Sequence, residues 1–341
     1  MTPLHSPATR VVLSRGDLAE SEHKVRVAVW RDGRIVHAAG DVESPVYLRS
    51  SAKPLQALAS VVAGAADRFE MTDAELSLAC GSHGGEPFHV ATAAGLLARI
   101  GLGPEHLLCG AHAPSYDPSA RDLVLRGEEP TALHNNCSGK HSNMLAACVA
   151  MDWPVEEYVA FGHPLQRMNV EHVAAFAGIR PREVTLGIDG CSAPNFALPL
   201  TASARAFALW ATPSRATGIP DALRDAAGRI RAAVAARPEM IGGTKRVDSD
   251  LVRVTGGRII SKMGAEGVWC LAVTGAETGI AIKAEDGSSR GAYPVGLALL
   301  RTLGVISDAE WNQLLPYHDP LLRNHRRIVV GRVDVIPPTG V

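Results

Sequence analysis

An α+β fold, with one antiparallel sheet built from both ends of the chain and a helical region between them, is what this 341-residue sequence predicts. Three observations carry it. Strand-like alternation near the N-terminus resumes only in the final third, the middle places apolar residues at helical spacing, and Gly-Gly, Gly-Ala and Asp-Gly turns punctuate the last third. With no internal repeat or low-complexity segment, a single domain over 1–341 is the economical arrangement.

Residues 24–30 alternate polar and apolar, and Asp32-Gly33 turns the chain into 34–37, a β-hairpin signal. A helix follows over 54–66, with Leu55, Leu58, Val61 and Val62 on one face. The next covers 72–80, where Thr72 serves as N-cap and Glu75 completes a capping box. Residues 87–100, 142–151 and 164–178 read as further helices. A strand over 183–189 delivers Asp189 and then Cys191 at its end, and 222–236 is an amphipathic helix. Residues 251–255, 258–261, 268–273, 279–283 and 328–335 read as short strands.

Composition narrows the function classes. Lys+Arg 34 against Asp+Glu 35 leaves a net charge of −1, so no charge surplus points to nucleic acid or an anionic membrane. No apolar run is long enough to span a bilayer. Residues 1–7 lack the basic start and apolar stretch of a signal peptide. Six cysteines are too sparse for a disulfide scaffold, and a cytoplasmic, reduced protein is expected.

The chemistry-bearing residues fall in polar islands. Ser50 and Lys53 form S-x-x-K; if Ser50 opens the helix, Lys53 lies one turn on and on the same face. A base role needs a lysine whose proton affinity is lowered by burial or by a second cation. The alternative is a serine cap followed by a surface lysine. Cys80-Gly81-Ser82-His83-Gly84-Gly85-Glu86 leaves a helix into a glycine-rich turn that lets backbone amides approach a ligand and presents Ser82. Lys262 ends a strand and leads into Met263-Gly264-Ala265-Glu266-Gly267, where it could line a cleft beside Ser82. In serine β-lactamases an S-x-x-K, a second serine motif and a K-T-G strand converge in this way, but Met263 stands here in place of Thr and S-D-N is missing.

The densest island is His134-Asn135-Asn136-Cys137-Ser138-Gly139-Lys140-His141-Ser142-Asn143. With Cys191 downstream it admits three readings: a zinc site with two thiolates, a Cys137 nucleophile beside a histidine, or two buried thiols in a polar loop. Cys109, Cys148 and Cys270 sit among apolar neighbours and read as packing residues. Gly242-Gly243-Thr244 lacks the preceding N-terminal strand that a threonine nucleophile would require, and Gly101-Leu102-Gly103-Pro104 is no dinucleotide fingerprint.

Taken together these islands, with Arg49 before Ser50 and Asp189-Gly190-Cys191-Ser192-Ala193-Pro194, resemble the class 3, rhizobial-type L-asparaginases of the asparaginase II family over nearly the whole chain. The resemblance implies a fold akin to serine β-lactamases and glutaminases, a homodimer, and two Ser–Lys pairs mapping onto Ser50 with Lys53 and Ser82 with Lys262. It also implies a Zn2+ held by Cys137, Lys140 and Cys191, with Arg49, His141 and Asp189 as substrate-side residues. The expected activity is hydrolysis of L-asparagine to aspartate and ammonia. Two other functions stay open: a β-lactam-recognising serine hydrolase, and a non-catalytic, zinc-stabilised amino-acid-binding protein.

Overall fold

In the computed structural model the described residues are 7–337; residues 1–6, on which most of the leader reading falls, lie outside them. Strands run over β1 (Thr9–Arg15), β2 (Leu18–Arg31), β3 (Arg34–Ala39), β4 (Val46–Tyr47), β5 (Thr185–Ile188), β6 (Pro194–Leu198), β7 (Ile259–Gly264), β8 (Val268–Val273), β9 (Thr278–Ala284), β10 (Leu322–Arg323) and β11 (Val329–Ile336). The larger sheet orders β10-β11-β1-β2-β9-β8-β7, with β3 also on β2, and every pairing in it is antiparallel. It is the predicted sheet from both ends of the chain. The β2–β3 hairpin turns at Asp32 (φ 45°) and Gly33 (φ 83°), the two left-handed positions of a type I′ turn.

Alternation along the central strands sends side chains to two different cores. Trp269 and Leu271 of β8 pack with Val295, Leu297 and Leu300 of the helix Ser289–Thr302. Cys270 and Ala272 face the helical region, including the helix Leu200–Ala211. That helix lies directly on the sheet because Gly279 has no side chain: a Cβ there would stand 2.5 Å from the Ala208 amide nitrogen.

The helices at 73–79, 87–99, 164–177 and 221–236 form as the sequence predicts, the first with its capping box: Glu75 N donates to Thr72 Oγ1 at 3.3 Å and Thr72 N to Glu75 Oε2 at 2.8 Å. Three differences have physical reasons. The expected helix over 54–66 is broken into Lys53–Gln56, Leu58–Val62 and Ala65–Arg68, with Gly64 (φ 73°) left-handed between the last two. The helix expected at 142 begins at Ser138, so the polar island supplies its first turn. Residues 251–255, expected as a strand, belong instead to the helix Val247–Val254; Val247, Leu251 and Val252 form one buried face, and Asp248 and Asp250 suit the positive end of its dipole.

The pieces that position the site meet at the β7 edge of the large sheet. A short 3-10 turn, Arg49–Ala52, covers that edge, and Ser51 Oγ donates to the Lys262 carbonyl at 2.7 Å. The second sheet, β4-β6-β5, carries the chain out of β4 toward Arg49 and out of β5 toward Asp189.

Candidate active site

Lys53 is fully buried, and its Nζ has three partners: the Gly81 carbonyl at 2.5 Å, Ser82 Oγ at 2.9 Å and the Asn136 carbonyl at 3.2 Å. One amine therefore ties together the S-x-x-K segment, the glycine-rich turn and the polar island. Lys53 touches Ser82 rather than Ser50. Ser50 is half-buried on the 3-10 turn, and its hydroxyl makes no hydrogen bond among the described residues. Arg49 before it is left-handed (φ 50°), held so by its backbone N–H donating to Asn195 Oδ1 at 3.0 Å.

The glycine-rich turn is fixed from two sides. Ser82 N donates to the Ile241 carbonyl at 2.9 Å and Gly84 N to the Gly242 carbonyl at 3.0 Å. The loop from Ile241 to Thr244 that supplies those carbonyls is clamped in turn, since Thr244 donates through N and Oγ1 to the Glu86 carboxylate, each at 2.7 Å. Gly85 N donates to His83 Nδ1 at 3.2 Å, so His83 Nε2 carries the ring proton and faces Ser138 Oγ at 2.9 Å. Burial holds the His83 imidazole well below its ordinary range, and it stays neutral.

Lys262 on β7 is also fully buried, but its Nζ meets the Met263 carbonyl at 2.8 Å and Asp248 Oδ2 at 3.5 Å rather than Ser82. Burial pushes the Lys262 amine down to about 8, with Asp248 opposing and Lys53 and Arg246 reinforcing the shift. The structure thus pairs the two lysines differently from the family resemblance: Lys53 meets Ser82 in place of Ser50, and Lys262 meets Asp248 in place of Ser82.

The third group lies behind the polar island. Lys140 Nζ donates to Cys191 Sγ at 3.0 Å. Cys137 Sγ donates to Asn136 Oδ1 at 2.9 Å. The neighbouring Cys137 thiol, with Lys140 and His141 behind it, holds the Cys191 thiol far below the ordinary thiol range, whereas Cys191 and burial raise Cys137. His141 Nδ1 meets the Tyr158 hydroxyl at 2.5 Å, and its Nε2 is buried without a hydrogen-bond partner among the described residues. Among the described residues no three His, Cys, Asp or Glu side chains are grouped to hold a metal, but two sulfurs, a lysine amine and an orphaned imidazole nitrogen make a donor set that suits zinc.

Arg49 Nε donates to Asp189 Oδ1 at 2.6 Å, joining the ends of the two strands that lead into the site. Asp189 Oδ2 stands 4.0 Å from Cys191 Sγ, so the ion pair and the thiols share a wall. A recess of about 520 Å³ opens beside Arg49 and Asn195, rimmed by Tyr47, Ile188, Glu266 and Lys283. Sequence reasoning does not reach Tyr158, Asn195 or Asp248, which act from outside the islands, and it leaves Glu86 without its role as the clamp on Thr244. Only Asp248 leaves a signal, an acid one position after Val247 in a segment with apolar residues at helical spacing.

The family described as L-asparaginase II matches residues 11–335 of this chain. No curated protein matches the chain. Among solved structures, Mglu in its native form in 4.3 M NaCl is similar with TM-score 0.46 and 15% identity, over 82% of this chain and 60% of that one. The chain therefore spans about 60% of the length of that protein. A protein from Bacteroides dorei DSM 17855, provisionally named a beta-lactamase, is similar with TM-score 0.41 and 14% identity, over 88% of this chain and 95% of that one. No helix among the described residues is long and apolar enough to cross a membrane.

Proposed function

The chain belongs to the L-asparaginase II family, and from that premise we propose that it hydrolyses L-asparagine to L-aspartate and ammonia through a Ser–Lys acyl-enzyme. The observation that carries this reading is the contact of buried Lys53 with Ser82 at 2.9 Å. Once it has given up a proton, Lys53 keeps two hydrogens for the Gly81 and Asn136 carbonyls and turns its lone pair to a serine hydroxyl.

Ser50 is the nucleophile of this proposal. Its hydroxyl is free and half-buried at a strained turn, the state expected of a group waiting for substrate. The Oγ attacks the side-chain amide carbon, and its proton passes through Ser82 to Lys53. The tetrahedral intermediate collapses with cleavage of the C–N bond, and the departing nitrogen takes a proton from Lys262 and leaves as ammonia. In the second half Lys262 takes a proton from water, and the hydroxide attacks the ester carbonyl. The departing Ser50 Oγ recovers its proton from Lys53 through Ser82, releasing aspartate and restoring both lysines. Arg49 and Asp189 face the α-amino acid end of the substrate, where an ion pair can open to bind a carboxylate and an ammonium separately.

A second reading takes Ser82 as the nucleophile, favoured by its direct contact with Lys53. The serine that a diazoketone analogue of asparagine alkylates, with loss of N2, is found by mass spectrometry and decides between them. An enzyme that releases ammonia from neither asparagine nor glutamine overturns both.

Zinc belongs to the same proposal. Cys137, Lys140 and Cys191 would hold it, and a bound zinc supplies positive charge and a fixed coordination position for orienting a substrate group. His141, steadied by Tyr158, keeps its free nitrogen toward that region. The homodimer and the cytoplasmic setting complete the reading, with light scattering and cell fractionation as their tests.

A further inference from the structure

Asp248 reaches the site from the first turn of the helix Val247–Val254, packed beside β7. Its carboxylate is 2% exposed and gathers four donors: Ser261 Oγ at 2.6 Å, Met263 N at 2.9 Å, Trp269 Nε1 at 3.0 Å and Lys262 Nζ at 3.5 Å. Satisfying a buried carboxylate this fully takes three donors from β7 and one from β8. The groups around Lys262 otherwise work against its charge. Lys53 faces it from the helix Lys53–Gln56 and Arg246 from the loop before Asp248, both cationic. Cys80 and Cys270 face it from the helix end and from β8, and burial pushes both thiols up to about 12, so they carry no charge. Asp248 is the one anion in that set.

We propose that Asp248 is a positioning residue that holds the Lys262 amine against β7 and keeps it protonated, ready to give its proton to the departing nitrogen. The role of that proton rests on the amide-hydrolysis reading above; the hold of Asp248 on Lys262 does not. Ser261, Met263 and Trp269 share the carboxylate's charge and leave the lysine the longest of the four contacts. That sharing tempers the attraction. Full, unshared pairing would raise the amine too far to release its proton, and removing the carboxylate would leave the amine neutral.

The test is the titration of Lys262 followed by NMR on lysine side chains labelled at the ε carbon, with Lys262→Arg identifying the resonance. In Asp248→Asn the midpoint falls by about one pH unit. In Trp269→Phe it rises, because the carboxylate loses an indole donor and pulls harder on the lysine. The alkaline limb of kcat moves the same way in both variants while KM stays unchanged, which a loss of general stability would not produce. A midpoint that moves in neither variant overturns the proposal, and if Asp248→Asn fails to fold, Trp269→Phe alone decides by the sign of its shift. Midpoints that move as expected while the kcat limbs stay fixed uphold Asp248 as the positioner of Lys262 and remove the proton-donor role from the amide-hydrolysis reading.

Discussion

Lys53 reaches across 29 residues of sequence to donate to Ser82 Oγ at 2.9 Å, although Ser50 lies only one turn before it. The broken helix explains the choice: Arg49–Ala52 is 3-10, and the amine is drawn inward by the Gly81 and Asn136 carbonyls. We expect Ser50→Ala to abolish turnover and Ser82→Ala to lower kcat by roughly 10²–10⁴ with little change in KM. Steady-state ammonia release from asparagine measures both, and near-normal activity in Ser50→Ala would refute its role as nucleophile.

Replacing Lys53 by Met tests the same hub for stability. The thioether fills the space but leaves the buried Gly81 carbonyl without a donor, at a cost of about 1–3 kcal/mol, while the Asn136 carbonyl keeps the His83 N–H at 3.3 Å. Denaturant melts should show that loss alongside an inactive enzyme; unchanged stability would mean that water replaces the amine.

Gly139 sits where the helix Ser138–Ala150 crosses the helix Asp73–Ala79. A Cβ there would lie 2.6 Å from the Leu78 carbonyl oxygen and closer still to the Leu78 side chain. Gly139→Ala is therefore expected to cost about 1–3 kcal/mol by overpacking. It should also lower activity, because the turn holding Ser82 and the turn holding Lys140 are pushed apart. Thermal melts and ammonia release on the one variant check the two effects separately.

Much of this arrangement is legible in the sequence. Capping at Thr72 and Glu75, the Asp32-Gly33 turn and the alternation at residues 24–30 in β2 are local signals, and each survives folding. The islands meet as their chemistry suggests, since polar residues packed among apolar segments have no other way to be satisfied. The wiring within the site is not legible. Whether Lys53 turns to Ser50 or Ser82 depends on where two backbone carbonyls lie, and no side-chain pattern encodes a carbonyl. Asp248 is hidden for a related reason: Leu251-Val252 and Val254-Thr255 have the β-branched content of a strand, and packing against β7 decides for helix.

Metal removal should separate orientation from chemistry. We expect about one zinc per chain by elemental analysis, lost in Cys191→Ser together with a rise in KM for asparagine larger than the fall in kcat. A chelated enzyme that keeps its substrate affinity and loses only its rate would contradict the orienting role.

Acid should weaken the fold through its buried imidazoles. Burial pushes His89 and His172 down to about 4, so the unfolded chain takes up protons first as the pH falls below about 6.5. The stability they allow is whole above that pH and is lost toward 4, by roughly 2–3 kcal/mol for each by pH 4.5. Melting temperatures at pH 7 and pH 5 test the slope, which His172→Leu should flatten.

The pairing of β2 with β9, Val25 opposite Ala284, sets a condition on how the molecule is made. The N-terminal hairpin leaves the ribosome early, with one edge of β2 open until residues 278–284 have been synthesised. The helices between them emerge in the meantime without the surface on which Leu200–Ala211 is laid, and loop closure over so long a span is slow. Synthesis of this chain thus passes through a long interval in which an unpaired strand is exposed to neighbouring chains, and chaperone supply during translation should govern yield more strongly than the stability of the finished fold.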